Sequence, residues 1–236
     1  MKDRVKSTAI IPARGGSKRL PRKNIMPFAG KPMITWTIEA AKQSNVFDVI
    51  LVSTDDDEMA QIAKESGAEV LMRPIEVSDD SSTLIDVIHH AMLNGYSNTE
   101  SLCLLLANCP LRSSLDIKKS WEKFKEQNPS ALLSVVEYAW TPPHRAQFLK
   151  NNRLESAFDG WQNKKSQLYP EVVCPTGAIY WSTPELLENE DTLYIDGIEG
   201  FQIPWHRGID IDTFEDFELA SCIYHAIDHG FKFKES

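Results

Sequence analysis

Cysteine is scarce in this 236-residue chain: Cys103, Cys109, Cys174 and Cys222 are the only four, and no two stand in a CxxC spacing. Such a set argues against a disulfide framework or a zinc site and for free thiols in a reducing compartment. No apolar run approaches the ~20 residues of a membrane span. The opening MKDRVKSTAIIPARGG carries charges but only a very short apolar stretch, which is not the layout of a signal peptide. Positive charge is also short: 25 Lys+Arg stand against 34 Asp+Glu, a net charge of -9. That balance does not suit a protein whose affinity rests on a nucleic-acid backbone, although a local basic cluster can still hold a small anion. No GxxxxGK[ST], GxGxxG or GxSxG motif occurs, and His89 and His90 are adjacent rather than at metal spacing. The expectation is a cytoplasmic protein with no membrane and no nucleic-acid partner.

The composition that is present is ordinarily globular, 42% hydrophobic and 25% charged, and long enough for one sizeable core. Short β-rich runs at 8–13, 48–53, 69–72, 101–106 and 131–138 alternate with helical patterns at 33–42, 56–66, 83–93 and 115–126. Pro32 opens the first helix and Gly67 stops the second. Continuous apolar strands alternating with helices predict an α/β fold: a mainly parallel mixed sheet covered by helices on both faces. Ligands of such sheets sit at the carboxyl ends of the strands, here the loops after Ala13, Ser53, Met72 and Leu106. The pattern breaks over 139–173, where Trp140, Pro142, Pro143, Phe148, Leu149, Phe158 and Trp161 lie among polar residues. This stretch reads as an excursion within a single 1–236 domain, packing against a second subunit. Strands resume at 177–181 and 200–205, and a helix over about 213–227 closes the chain.

Two stretches carry most of the chemistry. The loop after the first strand holds Arg14, Lys18, Arg19, Arg22 and Lys23, with Gly15 and Gly16 adjacent. The glycines let backbone N–H groups approach a ligand and the cations supply charge-assisted donors, so a triphosphate or pyrophosphate fits; a solvated basic loop is the alternative. Near the end, Gly208-Ile-Asp-Ile-Asp212 alternates carboxylates with isoleucines. On a strand both Asp210 and Asp212 would face one side, as Mg²⁺ bridging phosphates requires, whereas Asp212 alone could simply cap the last helix. The polar loop from Arg73 to Thr83 could read a base edge, or Asp79 or Ser81 could be a helix cap; at Ser53-Thr-Asp-Asp-Asp57, capping by Thr54 or Asp55 is the plainer account.

Taken together, IIPARGGSKRLPRKN, FAGKPMITWTIEAA, FDVILVSTDD, EVLMRP, QLYPEVVCPTGAIYW and GIDIDTFEDFELA resemble the acylneuraminate cytidylyltransferases (CMP-sialic acid synthetases), with their legionaminic and pseudaminic acid branches. The resemblance implies a nucleotide-diphospho-sugar-transferase-like fold, a homodimer made by an exchanged excursion, and Mg²⁺-dependent transfer of CMP from CTP to a nonulosonic acid with release of pyrophosphate. Carried over by position, Arg14, Ser17 and Lys23 hold the triphosphate. Gly15 and Gly16 bring the backbone close, and Lys18 and Asn24 support them. Arg73, Ser81 and Thr83 read cytosine and ribose, Asp210 and Asp212 bind Mg²⁺, and Gln167 and Tyr180 line the sugar site. Asp212 is the candidate base, beside Arg14 and Lys23 as catalytic groups.

The departures fall on the acceptor side. Leu106 and Thr176 replace a usual glutamine and asparagine, and Ser166 replaces a usual arginine, so Lys164 or Lys165 is expected to meet the acceptor carboxylate. Sialic, legionaminic and pseudaminic acids stay open. The rival readings are a 3-deoxy-manno-octulosonate cytidylyltransferase and a non-catalytic nucleotide-binding relative.

Overall fold

The structure, a computed structural model, describes residues 5–79, 81–138, 142–158, 160–161 and 164–233. Trp140, singled out above, lies outside them. In chain order the elements are β1 (Val5–Ala13), β2 (Pro27–Phe28), β3 (Lys31–Pro32), α1 (Met33–Ser44), β4 (Val49–Thr54), α2 (Asp57–Glu65), β5 (Glu69–Met72) and α3 (Leu84–Ala91). Then follow β6 (Thr99–Leu104), α4 (Ser114–Gln127), β7 (Ala131–Glu137), β8 (Gln147–Lys150), β9 (Arg153–Ser156), β10 (Val173–Ser182), α5 (Pro184–Leu187), β11 (Glu199–Gln202) and α6 (Phe214–Asp228).

Seven strands form one sheet in the order β11-β7-β10-β6-β1-β4-β5. The ladders β1/β4, β1/β6, β4/β5 and β11/β7 are parallel, and β10 runs antiparallel to both β6 and β7. Successive strand residues enter opposite layers. Ala9, Ile11, Val52 and Trp181 join Ile38 of α1, Met59 of α2 and Phe124 of α4, while Ile10, Leu51, Leu104 and Leu133 join Ile85 and Ile88 of α3. Trp181 is fully buried, stacks on Phe47 and Phe124, and donates its indole N–H to Ser120 Oγ at 2.9 Å. The closing helix α6 docks through Ala220 in a third cluster with Phe28, Met33 and Ile211.

Several boundaries differ from the sequence reading for local reasons. The helix expected over 83–93 ends as α3 at Ala91, because a wider turn over Met92–Tyr96 unwinds through Gly95 at φ +98. The strand expected over 101–106 is shifted to Thr99–Leu104, which leaves Leu105 and Leu106 to begin a loop. The excursion contains an antiparallel hairpin, β8/β9, with Phe148, Leu149 and Leu154 exposed. Trp161 packs inside the excursion itself, 4.9 Å from the His144 ring and 5.8 Å from that of Tyr169. No helix among the described residues is long and apolar enough to cross a membrane.

Candidate active site

Parallel β1, β4, β5 and β6 all end at one edge of the sheet, and antiparallel β10 begins there. The loop leaving β1 is tied to the start of α2. Gly15 N–H donates to Asp55 Oδ1 at 2.9 Å, and Arg22, at φ 55, donates to Asp56 Oδ2 at 3.1 Å and Glu58 Oε2 at 2.6 Å. A Cβ on Gly15 would stand 2.9 Å from Asp56 Oδ2, so a side chain there would displace the Asp56 carboxylate that caps α2 and pairs with Arg22. The Gly15 amide expected to meet a ligand is thus committed to Asp55. Asn24, buried, donates to Arg14 O at 3.2 Å and so holds the loop's return against its start.

The aspartate pair faces this loop. Residues 209–212 form an extended loop rather than a strand, yet the alternation holds, because Ile211 is fully buried among Phe28 and Met33 and turns its neighbours the other way. Asp212 does not cap α6. Thr213 does, accepting from Asp216 N at 3.3 Å, while the Asp216 carboxylate accepts from Thr213 N at 2.8 Å and Asp212 N at 3.0 Å. The Asp212 carboxylate is left to Lys23 Nζ at 2.5 Å, the Arg19 guanidinium, and Asn108 Nδ2 at 3.3 Å. The other caps also move. Asp56 caps α2 rather than Thr54 or Asp55, and Thr83 caps α3 rather than Asp79 or Ser81, each with its own first-turn N–H partner.

The two carboxylates are tuned in opposite directions. Burial raises Asp212, but the hydrogen bond and charge of Lys23, with Arg19, outweigh it and hold the carboxyl below its ordinary range. Asp210 stays open at the mouth of the site, yet the protein around its carboxyl and the neighbouring Asp212 push it up.

Two cavities meet at this edge. The first, of about 290 Å³, brings together Arg14, Lys23, Asn24, Arg73, Thr83, Leu106, Asp210 and Asp212, all singled out from sequence. Arg73 is almost fully buried at its wall, with Nε and Nη2 unpaired by hydrogen bonds and Asp55 Oδ1 4.0 Å from Nη2. Sequence reasoning missed Asn108 on this lining, and it reached Ser78, Asp79 and Ser82 only as part of the Arg73–Thr83 loop. Asn108 was findable, since it follows the apolar β6 run in the post-strand position where ligands are expected. Gly15, Gly16, Ser17, Lys18 and Ser81 are not on it. Ser81 turns its N–H and hydroxyl onto Asp79 Oδ1 at 2.9 and 2.8 Å, and the Thr83 hydroxyl is taken by its capping box.

The second cavity, of about 190 Å³, shares Leu84, Leu106 and Asp210 with the first and adds Leu104, Leu133, Leu193, Thr176 and Tyr180. Thr176 spends its hydroxyl on Ser134 Oγ at 2.7 Å. Burial is the first cause that pushes the Tyr180 hydroxyl up to about 12, so it stays neutral. Lys164, Lys165 and Gln167 line neither cavity; all three are exposed in the excursion, and Lys164 Nζ sits 3.8 Å from the Trp161 ring centroid. Among the described residues no cluster of three acidic, histidine or cysteine side chains could hold a metal by itself.

A mostly parallel sheet, a cationic loop after its first strand and a facing aspartate pair beside two joined cavities define the class: an α/β nucleotidyltransferase. The profile of the cytidylyltransferase family matches residues 8–176, and the chain belongs to that family. It is 35% identical to a pseudaminic acid cytidylyltransferase of Campylobacter jejuni, over 93% of this chain and 97% of that protein. It is 34% identical to an N-acylneuraminate cytidylyltransferase of Streptococcus agalactiae, over 96% of this chain but only 54% of the longer relative. In fold it is similar to a CMP:2-keto-3-deoxy-manno-octonic acid synthetase complexed with CTP, at TM-score 0.72 and 19% identity over 94% of this chain and 99% of the other.

Proposed function

We propose that the chain transfers CMP from CTP to a nonulosonic acid and releases pyrophosphate, with Mg²⁺ held by Asp210 and Asp212. The observation that carries this is the pair of joined cavities, one cationic and polar, the other leucine-walled, with Asp210 on the lining of both. The anomeric hydroxyl attacks the α-phosphorus, the bond to the bridging oxygen breaks, and charge grows on the departing pyrophosphate. Lys23 and Arg14 face that charge, and Arg73 with the adjoining loop meets the base. The proton of the attacking hydroxyl goes to Asp210, the carboxylate on the lining of both cavities, whereas Asp212 is paired with Lys23 and Arg19.

The residues fit a divalent cation. Two hard carboxylates lie on one wall, and the crowding that raises Asp210 is relieved by positive charge. With two protein carboxylates only, the remaining ligands would have to come from the substrate's phosphates or from water. When bound, Mg²⁺ supplies charge neutralisation at the phosphates. The acceptor belongs to the pseudaminic and sialic acid group rather than to the 3-deoxy-manno-octulosonate type, since the 31–35% identical relatives bear those names.

The exposed Phe148, Leu149 and Leu154 support a homodimer built on the excursion, through which Lys164, Lys165 and Gln167 meet the acceptor of a second copy. The test is pyrophosphate release with CTP, UTP or GTP against a panel of nonulosonic acids. CTP with at least one acid should turn over, and equal turnover with UTP or GTP would refute the assignment of the base site. A stable monomer by light scattering at micromolar concentration would remove the dimer.

A further inference from the structure

Asn108 sits between the loop after β6 and the aspartate segment and is bonded to that segment three times. Its carbonyl accepts from Ile211 N at 2.9 Å, and its side-chain Nδ2 donates to Ile211 O at 3.1 Å and to Asp212 Oδ1 at 3.3 Å. The residue is buried and lines the nucleotide cavity. The two bonds to the Ile211 backbone, one from each part of Asn108, fix it in register, and the buried Ile211 in turn sends Asp210 and Asp212 to the same side.

The other partners of the Asp212 carboxylate are cations, Lys23 and Arg19. A cation that orients a carboxylate also cancels the charge that attracts a metal ion. Both belong to the loop that faces the triphosphate, where phosphate oxygens compete for them. A neutral amide is different: it fixes the carboxylate's direction and leaves its negative charge available.

We propose that Asn108 is a positioning residue that keeps Asp212 aimed at the cation when the basic loop turns to the triphosphate. This rests on the reading of Asp210 and Asp212 as the metal pair. Outer partners of metal ligands typically carry about 10–100-fold in metal affinity.

The experiment measures CTP binding by calorimetry, without acceptor and hence without turnover, in metal-free buffer and at saturating Mn²⁺. The readout is the factor by which Mn²⁺ tightens CTP. In Asn108→Ala that factor should fall about 10-fold or more. In Asn108→Ser, which keeps one short donor, it should fall less. Thermal melting verifies that each variant is folded, and Asn108→Ser alone decides the matter if the alanine variant is not. A factor equal to wild type in a folded variant overturns the positioning role. Asp212→Asn runs in parallel: if it too leaves the factor unchanged, the metal pair itself is wrong and the inference falls with it. If it abolishes the factor while Asn108→Ala does not, the inference alone fails.

Discussion

Arg112 offers a severe test of how the wall shared by the two cavities is held in place. Its side chain is 3% exposed and is bonded to neutral groups: Nη1 donates to Ala178 O at 2.6 Å and Leu106 O at 3.4 Å, and Nη2 donates to Thr37 Oγ1 at 2.7 Å. One guanidinium therefore ties α1, the loop after β6 and β10 together. Replacing it by methionine removes two short charge-assisted hydrogen bonds, each about 1.5–3 kcal/mol, and leaves buried acceptors unpaired. Relief from keeping a cation desolvated offsets part of that loss, since burial already pushes the Arg112 pKa down. The net cost is roughly 2–4 kcal/mol, or about 5–15 °C in melting temperature for a chain of this size.

The kinetic signature is more specific. Leu106 is on the lining of both cavities, its N–H donates to Gly177 O at 3.2 Å, and a Cβ on Gly177 would stand 2.9 Å from Leu106 Cγ. Slackening Arg112 loosens this fit on the acceptor side first. Arg112→Lys, with one ammonium in place of the planar fork, should remain folded, raise the acceptor KM several-fold and change the CTP KM less. Differential scanning fluorimetry and initial rates measure both. A methionine variant within about 0.5 kcal/mol of wild type, the size of an unremarkable surface substitution, would refute the reasoning. So would equal increases in the two KM values for the lysine variant.

Two further outcomes follow from the caps and the carboxylates. Asp210→Asn and Asp212→Asn should each lower kcat at least about 100-fold, which is about 2.7 kcal/mol of transition-state stabilisation. The Asp212 variant should melt within a few degrees of wild type, because Thr213 and Asp216 keep the α6 cap; near-wild-type rates at saturating Mg²⁺ would return both residues to a structural role. Asp56 caps α2 and pairs with Arg22, and those hydrogen bonds outweigh burial to hold its carboxyl below the ordinary 3.8. A depressed folded pKa contributes stability above the unfolded value and loses it as pH falls through the folded one. Asp56→Ala should therefore cost about 1–2 kcal/mol at neutral pH, and the difference should shrink steadily as the pH is taken below about 4, as followed by urea melts. A difference independent of pH would show that the cap is not ionic.

How much of the fold and site is legible in the sequence depends on whether a signal is local. The strand–helix alternation is, because buried parallel strands read as apolar runs wherever they lie. The direction of β10 is not: Gly177 to Trp181 reads as the same apolar run either way, and only the pairing of Tyr180 with Leu104 and Leu133 reverses it. The cationic loop is legible as a cluster in an acidic chain, but the use of the Gly15 amide is not, since Asp55 arrives from forty positions away. The excursion's lysines read as acceptor ligands by position, yet they lie exposed and off both cavities, because the folding of the excursion is not set by any local signal.

The helix caps are the instructive case, because the signal that decides between the open alternatives lies in the sequence itself. Three helices begin with Ser or Thr followed three residues later by Asp: Thr83 with Asp86, Ser113 with Asp116, and Thr213 with Asp216. That reciprocal box satisfies two orphan N–H groups at once, which a lone aspartate one residue earlier cannot. Reading Thr213–Asp216 as the box releases Asp212 from the helix on sequence grounds alone. A carboxylate with no capping duty, separated from a second one by a single buried isoleucine, then needs another partner, and the cationic loop at the far end of the sequence is the one it meets. Correct cap assignment at α6 thus turns a weak Asp-Ile-Asp pattern into a directed reading of the site.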